Sequence, residues 1–378
     1  MWKRSALALV ATAAIVGSSA AAVAADSGTA SAAATTAGSR QVTNVRHAYV
    51  SGKAVASGGE IHGIALTQAN RPFEMDVATL PELAADGINT VDLYVTEYQA
   101  SPYANSIYDS TFTPSPARVK AVINLAHSYG MAVELMPVVW NKGAYAARTD
   151  YVPGNVNEWF NSYRAMITKW AKVAAATNTE IFCVGTEYSR LQPRTTQWRR
   201  VISAVRAVDP TSQLTYMMAI GAKQAVHYWG RLDMIGVSPY YSLSSAAVPT
   251  VAQLDRAWNH YLPPLRRLSR TYHRPVLFDE LGYQSQVQAA MTPWQTRTES
   301  PSEQAQANAY QAAINVTHGK SWLRGLIFFT WGPPVVGPVD TGYEPEGKLA
   351  ECVMAQSWSS SSTTTSLLPA CLTAGTAS

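Results

Sequence analysis

Eight short runs of apolar and β-branched residues recur along this chain, separated by stretches of helical periodicity, and that alternation limits its fold more than any other feature. The runs lie near Ile61 to Leu66, Thr90 to Val95, Ala132 to Val138, Glu180 to Val184, Gln213 to Met218, Met234 to Val237, Pro275 to Phe278 and Leu326 to Phe329. Between the second and third, Ser115-Pro116 opens a helix with Val119, Val122, Ile123 and Ala126 on one face, closed by Gly130. Ser300-Pro301-Ser302-Glu303 reads as a first-turn proline with a capping box ahead of Gln304 to Val316. Longer helical patterns cover 157–176, 196–208 and 251–272. Strand followed by helix eight times predicts an α/β fold, a single-domain (β/α)8 TIM barrel over residues 46–350. A doubly wound open sheet is the competitor, but no G-x-G-x-x-G or G-x-x-x-x-G-K-[ST] turn follows the first strand.

The flanks are of another kind. Lys3 and Arg4, the apolar run Ala6 to Val16 and small residues up to Ala25 have the order of a secretory signal peptide, so residues 1–25 are expected to be removed and the product to be secreted and extracellular. Removal takes two cations and no anions from a formal charge of +4, leaving +2, too little to argue for a nucleic-acid partner. Residues 26–45 read as a low-complexity linker and 351–378 as a Ser/Thr-rich tail. No membrane span is expected after the leader. Cys352 and Cys371 are close enough in sequence for a disulfide in an exported chain, while Cys183 lies within an apolar strand as a small hydrophobe.

In a (β/α)8 barrel the C-terminal strand ends carry the chemistry. Here they carry Glu97, Trp140, Glu187, Tyr240 and Tyr241, Glu280 and Trp331. Carboxylates among tyrosines and indoles suit a sugar, which offers apolar C–H faces inside a rim of hydroxyls. Glycoside cleavage needs two carboxyls, one protonated for the leaving oxygen and one ionised to attack or to activate water. Seven scattered histidines without a metal-binding spacing, and no G-x-S-x-G turn, argue against a metal-dependent amidase or a serine esterase; no cofactor and no metal is expected.

Several segments together resemble glycoside hydrolase family 113: Phe182 to Glu187, Trp198-Arg199, Leu214-Thr215-Tyr216, Asp233 to Val237, Pro275 to Ser285, Pro293-Trp294 and Phe328 to Trp331. The family's fold is the retaining (β/α)8 barrel of β-1,4-mannanases. The resemblance implies Glu187 as acid/base, Glu280 as nucleophile, Tyr240 as hydrogen-bond partner of the nucleophile and Trp331 as sugar platform. It also implies a polysaccharide or oligosaccharide partner. Trp140 and Tyr283, near the ends of the third and seventh strands, are further substrate-binding candidates. Two departures fall in loops that would line the sugar: Pro137-Val138-Val139-Trp140 has no following Trp-Arg, and Met217 to Ile220 stands where an Asn-Trp ending is common. These departures motivate a second hypothesis, a carbohydrate-binding barrel without catalysis.

Structural roles compete at several positions. Glu187 could pair with Arg190 or Arg194. Strand alternation lets only one of Asp279 and Glu280 face inward, which would leave Asp279 as a helix or loop partner. Glu134 and Asp92 read as outward ion-pair groups, and His62 as a hydrogen-bonded core histidine.

Overall fold

A computed structural model describes residues 52–67, 80–142, 147–219, 221, 226–332 and 340–359. The expected leader, the linker, most of the tail with Cys371, and Ile220 after the fifth strand lie outside the described residues. Eight parallel strands close in sequence order: β1 Ile61–Leu66, β2 Thr90–Gln99, β3 Ala132–Asn141, β4 Ile181–Thr186, β5 Gln213–Ala219, β6 Ile235–Ser238, β7 Val276–Leu281 and β8 Leu323–Trp331. Each coincides with one of the eight expected runs, and helices lie between most of them, so the expected barrel is the observed one.

Alternation along the strands sorts side chains into two layers. Val91, Leu93 and Val95 of β2, Val133 and Leu135 of β3, and Phe182 and Val184 of β4 join the large outer core against the helices. Tyr94, Ala132, Met136, Val138, Ile181, Cys183, Leu277 and Ile327 fill the smaller inner core. Short helix Gly52–Ala56 contributes buried Val55 to that inner core, and its carbonyl accepts from Arg324 Nη2 at 2.6 Å. Closure between β1 and β8 brings backbones very close at Gly325, where a Cβ would stand 2.0 Å from the Ile61 carbonyl oxygen; its φ of +118° is open to glycine alone.

Helix ends explain the loop geometry above the barrel. Ser115 caps Pro116–Ser128 as expected, accepting from the Arg118 N–H. The cap before Glu303–Thr317 is Ser302, which accepts from the Ala305 N–H. Pro301 therefore precedes the helix rather than opening it, and the expected capping box is not formed, because Glu303 accepts instead from the Leu349 N–H at 3.2 Å. The expected boundary at residue 350 also needs correction. Helix Leu349–Trp358 packs against Glu303–Thr317, buries Ala350, Cys352 and Met354, and stacks Trp358 on His62 with ring centroids 5.0 Å apart. The Ser/Thr run starts only after this apolar stretch, so the barrel unit extends through it. Cys352 is disulfide-bonded.

Candidate active site

Both strand-end glutamates are reached through breaks in regular pleating. The β4–β5 register shifts between Cys183 and Thr186, and Glu187 follows with a left-handed φ of 56°, its N–H donating to the Met217 carbonyl at 2.8 Å. The β7–β8 register shifts between Phe278 and Leu281. That irregularity overturns the one-or-the-other expectation for Asp279 and Glu280, since both lie inside the barrel.

The two carboxyls have different partners. Glu280 is 4% exposed; its Oε1 accepts from Tyr240 at 2.9 Å and its Oε2 from Tyr94 at 2.5 Å. Glu187 is 2% exposed; its Oε1 lies 2.7 Å from the Ser238 hydroxyl and its Oε2 accepts from Arg148 Nη2 at 3.2 Å. The cation on Glu187 is thus Arg148, rather than Arg190 or Arg194. Burial first, then the charge of Glu187, push the Glu280 carboxyl up to about 7, while Arg148 and the two tyrosine hydrogen bonds pull the other way.

Tyr240 is therefore beside Glu280, as the resemblance implied. Trp331 ends β8 and Trp140 is the penultimate residue of β3, and the indole N–H of each has no acceptor among the described residues. Tyr283 is not brought to the pair: it is fully buried in the outer core, its ring edge-on to Tyr310 at 6.4 Å. Gly282, which lets the Phe329 carbonyl approach closely, separates it from the inward-facing stretch. Tyr241 stacks on Tyr261 at 4.1 Å in the helix layer, and Glu97 pairs with Lys169 and the Trp170 indole there.

Three contributors escaped the sequence reading. Tyr94 carries a usable signal, since it sits two residues beyond Asp92 on the inward side of β2. Ser238 is the last residue of β6, where a short polar side chain has no signature of its own. Arg148 comes from the segment after β3, seven residues beyond the strand, and only the fold joins it to Glu187. Tyr343 also lies near enough to Glu280 for the carboxylate to raise its phenol pKa.

Below this layer the barrel holds a second set of acids. Asp92, Glu134 and Asp279 are each 0% exposed, and Asp92 and Glu134 are register neighbours on β2 and β3. They face inward, against the expected outward ion pairs, because the alternation Ala132, Glu134, Met136 is the inner face of β3. Among the described residues neither oxygen of Asp92 or Glu134 accepts a hydrogen bond, while Asp279 accepts from Thr215 at 3.3 Å and is within hydrogen-bond reach of Glu134. Burial and mutual repulsion push Asp92 and Glu134 well above the carboxylate range, and burial pushes Asp279 up to about 7. Gly236 makes the room: a Cβ there would lie 2.2 Å from Asp279 Oδ2. Glu134, Cys183 and Asp279 place donor atoms within 4.8 Å of one another. Cys183, however, donates to the Gly185 carbonyl at 3.3 Å, and burial raises its pKa, which describes a neutral thiol rather than a thiolate ligand.

The family model of Glycoside Hydrolase Family 113 matches residues 69–342. A β-mannanase of that family from Alicyclobacillus acidocaldarius, solved in complex with ManMIm, is 25% identical over 80% of this chain and 98% of its own, with a TM-score of 0.69. A complex of a family 113 β-1,4-mannanase is 23% identical over 79% of this chain and 99% of its own, with a TM-score of 0.70. A family 5 mannosidase from Rhizomucor miehei, 11% identical over 79% of this chain and 92% of its own, shares the fold with a TM-score of 0.53. No curated protein sequence matches the chain.

Proposed function

This chain belongs to glycoside hydrolase family 113, and from that premise we propose that it is a secreted, retaining hydrolase of β-1,4-linked polysaccharide, with mannan as its substrate. Glu187 is the acid and then the base, and Glu280 is the nucleophile. The observation that carries this division is the difference in hydrogen bonding between the two carboxyls. Both oxygens of Glu280 accept from phenols, an arrangement suited to an anion. On Glu187 one partner is a serine hydroxyl that can turn, and the other is the Arg148 guanidinium. Ser238 Oγ donates to Glu187 Oε1 and also lies 3.4 Å from the Met218 carbonyl, so it can turn to donate there and accept a hydrogen bond when Glu187 carries the proton. With the proton on Glu187, its repulsion of Glu280 disappears, and the two phenols with nearby Arg148 favour the carboxylate.

The chemistry then follows from position. Glu187 protonates the leaving glycosidic oxygen as the Glu280 carboxylate attacks the anomeric carbon. Glu187, now ionised, takes a proton from the water that releases the sugar. Trp331 and Trp140 offer a pyranose apolar rings and indole N–H groups that have no acceptor among the described residues. Export is supported by the leader-like order of residues 1–25.

The test is sugar release from β-1,4-mannan, glucomannan, xylan and cellulose by the wild type, Glu187→Gln and Glu280→Gln. Release from mannan that falls by about 10³-fold or more in both variants is expected. Normal turnover by Glu280→Gln would remove the assignment. Oligosaccharide binding without release by the wild type would favour the binding-only barrel.

A further inference from the structure

Tyr103 and Val152 form an exposed apolar step at the catalytic end of the barrel. Tyr103, in the segment after β2, is 69% exposed, and Val152, in the segment after β3, is 48% exposed. The two segments are bonded to one another: the Val152 N–H donates to the Pro102 carbonyl and the Gly154 N–H to the Tyr103 carbonyl, both at 2.9 Å. The Asn155 N–H donates to Asn105 Oδ1 at 2.7 Å. Hydrogen bonding of this density holds the phenol ring on a fixed support.

The support leads directly to the reacting pair. Tyr151, preceding Val152, is buried, donates to the Val139 carbonyl at 2.8 Å, and sets its ring 6.0 Å from that of Tyr188, the residue after Glu187. Arg148, bonded to Glu187, stands four residues before Val152, and four residues reach at most about 14 Å. These links limit how far Val152, and Tyr103 bonded beside it, can stand from Glu187. Polar side chains of Ser101, Asn105 and Asn155 belong to the same bonded segments, so an apolar ring and polar groups that suit a pyranose occur together there.

We propose that Tyr103, with Val152 beside it, is a distal subsite on which a pyranose of the bound polysaccharide stacks, several units from the cleaved linkage. This rests on the reading of the chain as a polysaccharide hydrolase and adds the requirement that substrate length matter. Phe112 provides a control: it is 71% exposed on the same loop, but its N–H bonds back to Ser110 within the loop.

The experiment is steady-state kinetics on β-1,4-mannooligosaccharides of two to six units and on mannan, with Tyr103→Ala, Tyr103→Trp and Phe112→Ala. In Tyr103→Ala the ratio of KM for the longest to the shortest cleaved substrate should rise about tenfold, the loss of one good aromatic contact. Tyr103→Trp should restore it, and Phe112→Ala should leave it as in the wild type. An unchanged ratio in Tyr103→Ala, or an equal change in Phe112→Ala, overturns the subsite while leaving the hydrolase reading intact. Absence of both turnover and binding in the wild type for every substrate overturns that reading, and the subsite with it.

Discussion

The barrel contains two layers of buried carboxyls that differ in what surrounds them. In the upper layer, at the C-terminal strand ends, Glu187 and Glu280 are each met by two groups able to donate, drawn from β2, β6, the segment after β6 and, through Arg148, the segment after β3. In the lower layer, Asp92, Glu134 and Asp279 have one hydroxyl, Thr215, among them. Burial is nearly the same in both layers. Buried acids supplied with donors hold a charge more readily than buried acids without them, and only the upper layer combines donors with a place at the C-terminal strand ends.

Removing donors from the upper layer should show how unequal its two members are. Tyr94→Phe takes a phenol from Glu280 and should lower kcat on mannan about 10²-fold, the usual cost of losing one donor to a reacting charge. Ser238→Ala should cost about tenfold. The Tyr94 hydrogen bond pulls against the burial that raises the Glu280 carboxyl to about 7, so Tyr94→Phe should also move the acidic limb of kcat/KM to higher pH. An acidic limb left where the wild type has it would show that Glu280 is not the group that must be ionised.

In the lower layer the readout is stability. An Asp279 carboxyl that titrates near 3.8 in the unfolded chain and about 7 in the folded one binds more protons when folded between those values. Asp92 and Glu134 shift in the same direction. Their contribution is therefore present in mild acid and is lost as pH rises through about 7. Glu134→Gln supplies an amide donor that does not titrate. It should raise the melting temperature at pH 8 by about 3 °C or more, flatten the fall between pH 5 and 8, and leave kcat little changed. An unchanged slope in thermal unfolding at the two pH values would show that the lower acids are neutralised some other way.

The sequence exposed the upper layer more clearly than the lower. All eight strands were legible because apolar runs bounded by turns and caps leave few alternatives, and Glu187 and Glu280 stood out as acids closing such runs. What was not legible depended on pleating and closure. Strict alternation assigned Asp279 and Glu280 to opposite sides, and the β7 irregularity placed both inside. Glu134 was legible in principle, from its place between inward Ala132 and Met136, but a charge inside a closed barrel is costly enough that an outward position was expected. Tyr283 lies close to Glu280 in sequence yet faces the helices. Arg148 meets Glu187 only through a loop whose path no local pattern records.

The most direct test of the division between the two glutamates is mass spectrometry of Glu187→Ala after incubation with an activated aryl β-mannoside. Such a leaving group departs without an acid, but hydrolysis of the glycosyl-enzyme still needs a base. The account predicts that a hexosyl adduct accumulates on the peptide containing Glu280, and that Glu280→Ala forms none. An adduct on Glu187 in the Glu280→Ala protein, or free sugar produced by both variants with no adduct on either, would contradict it.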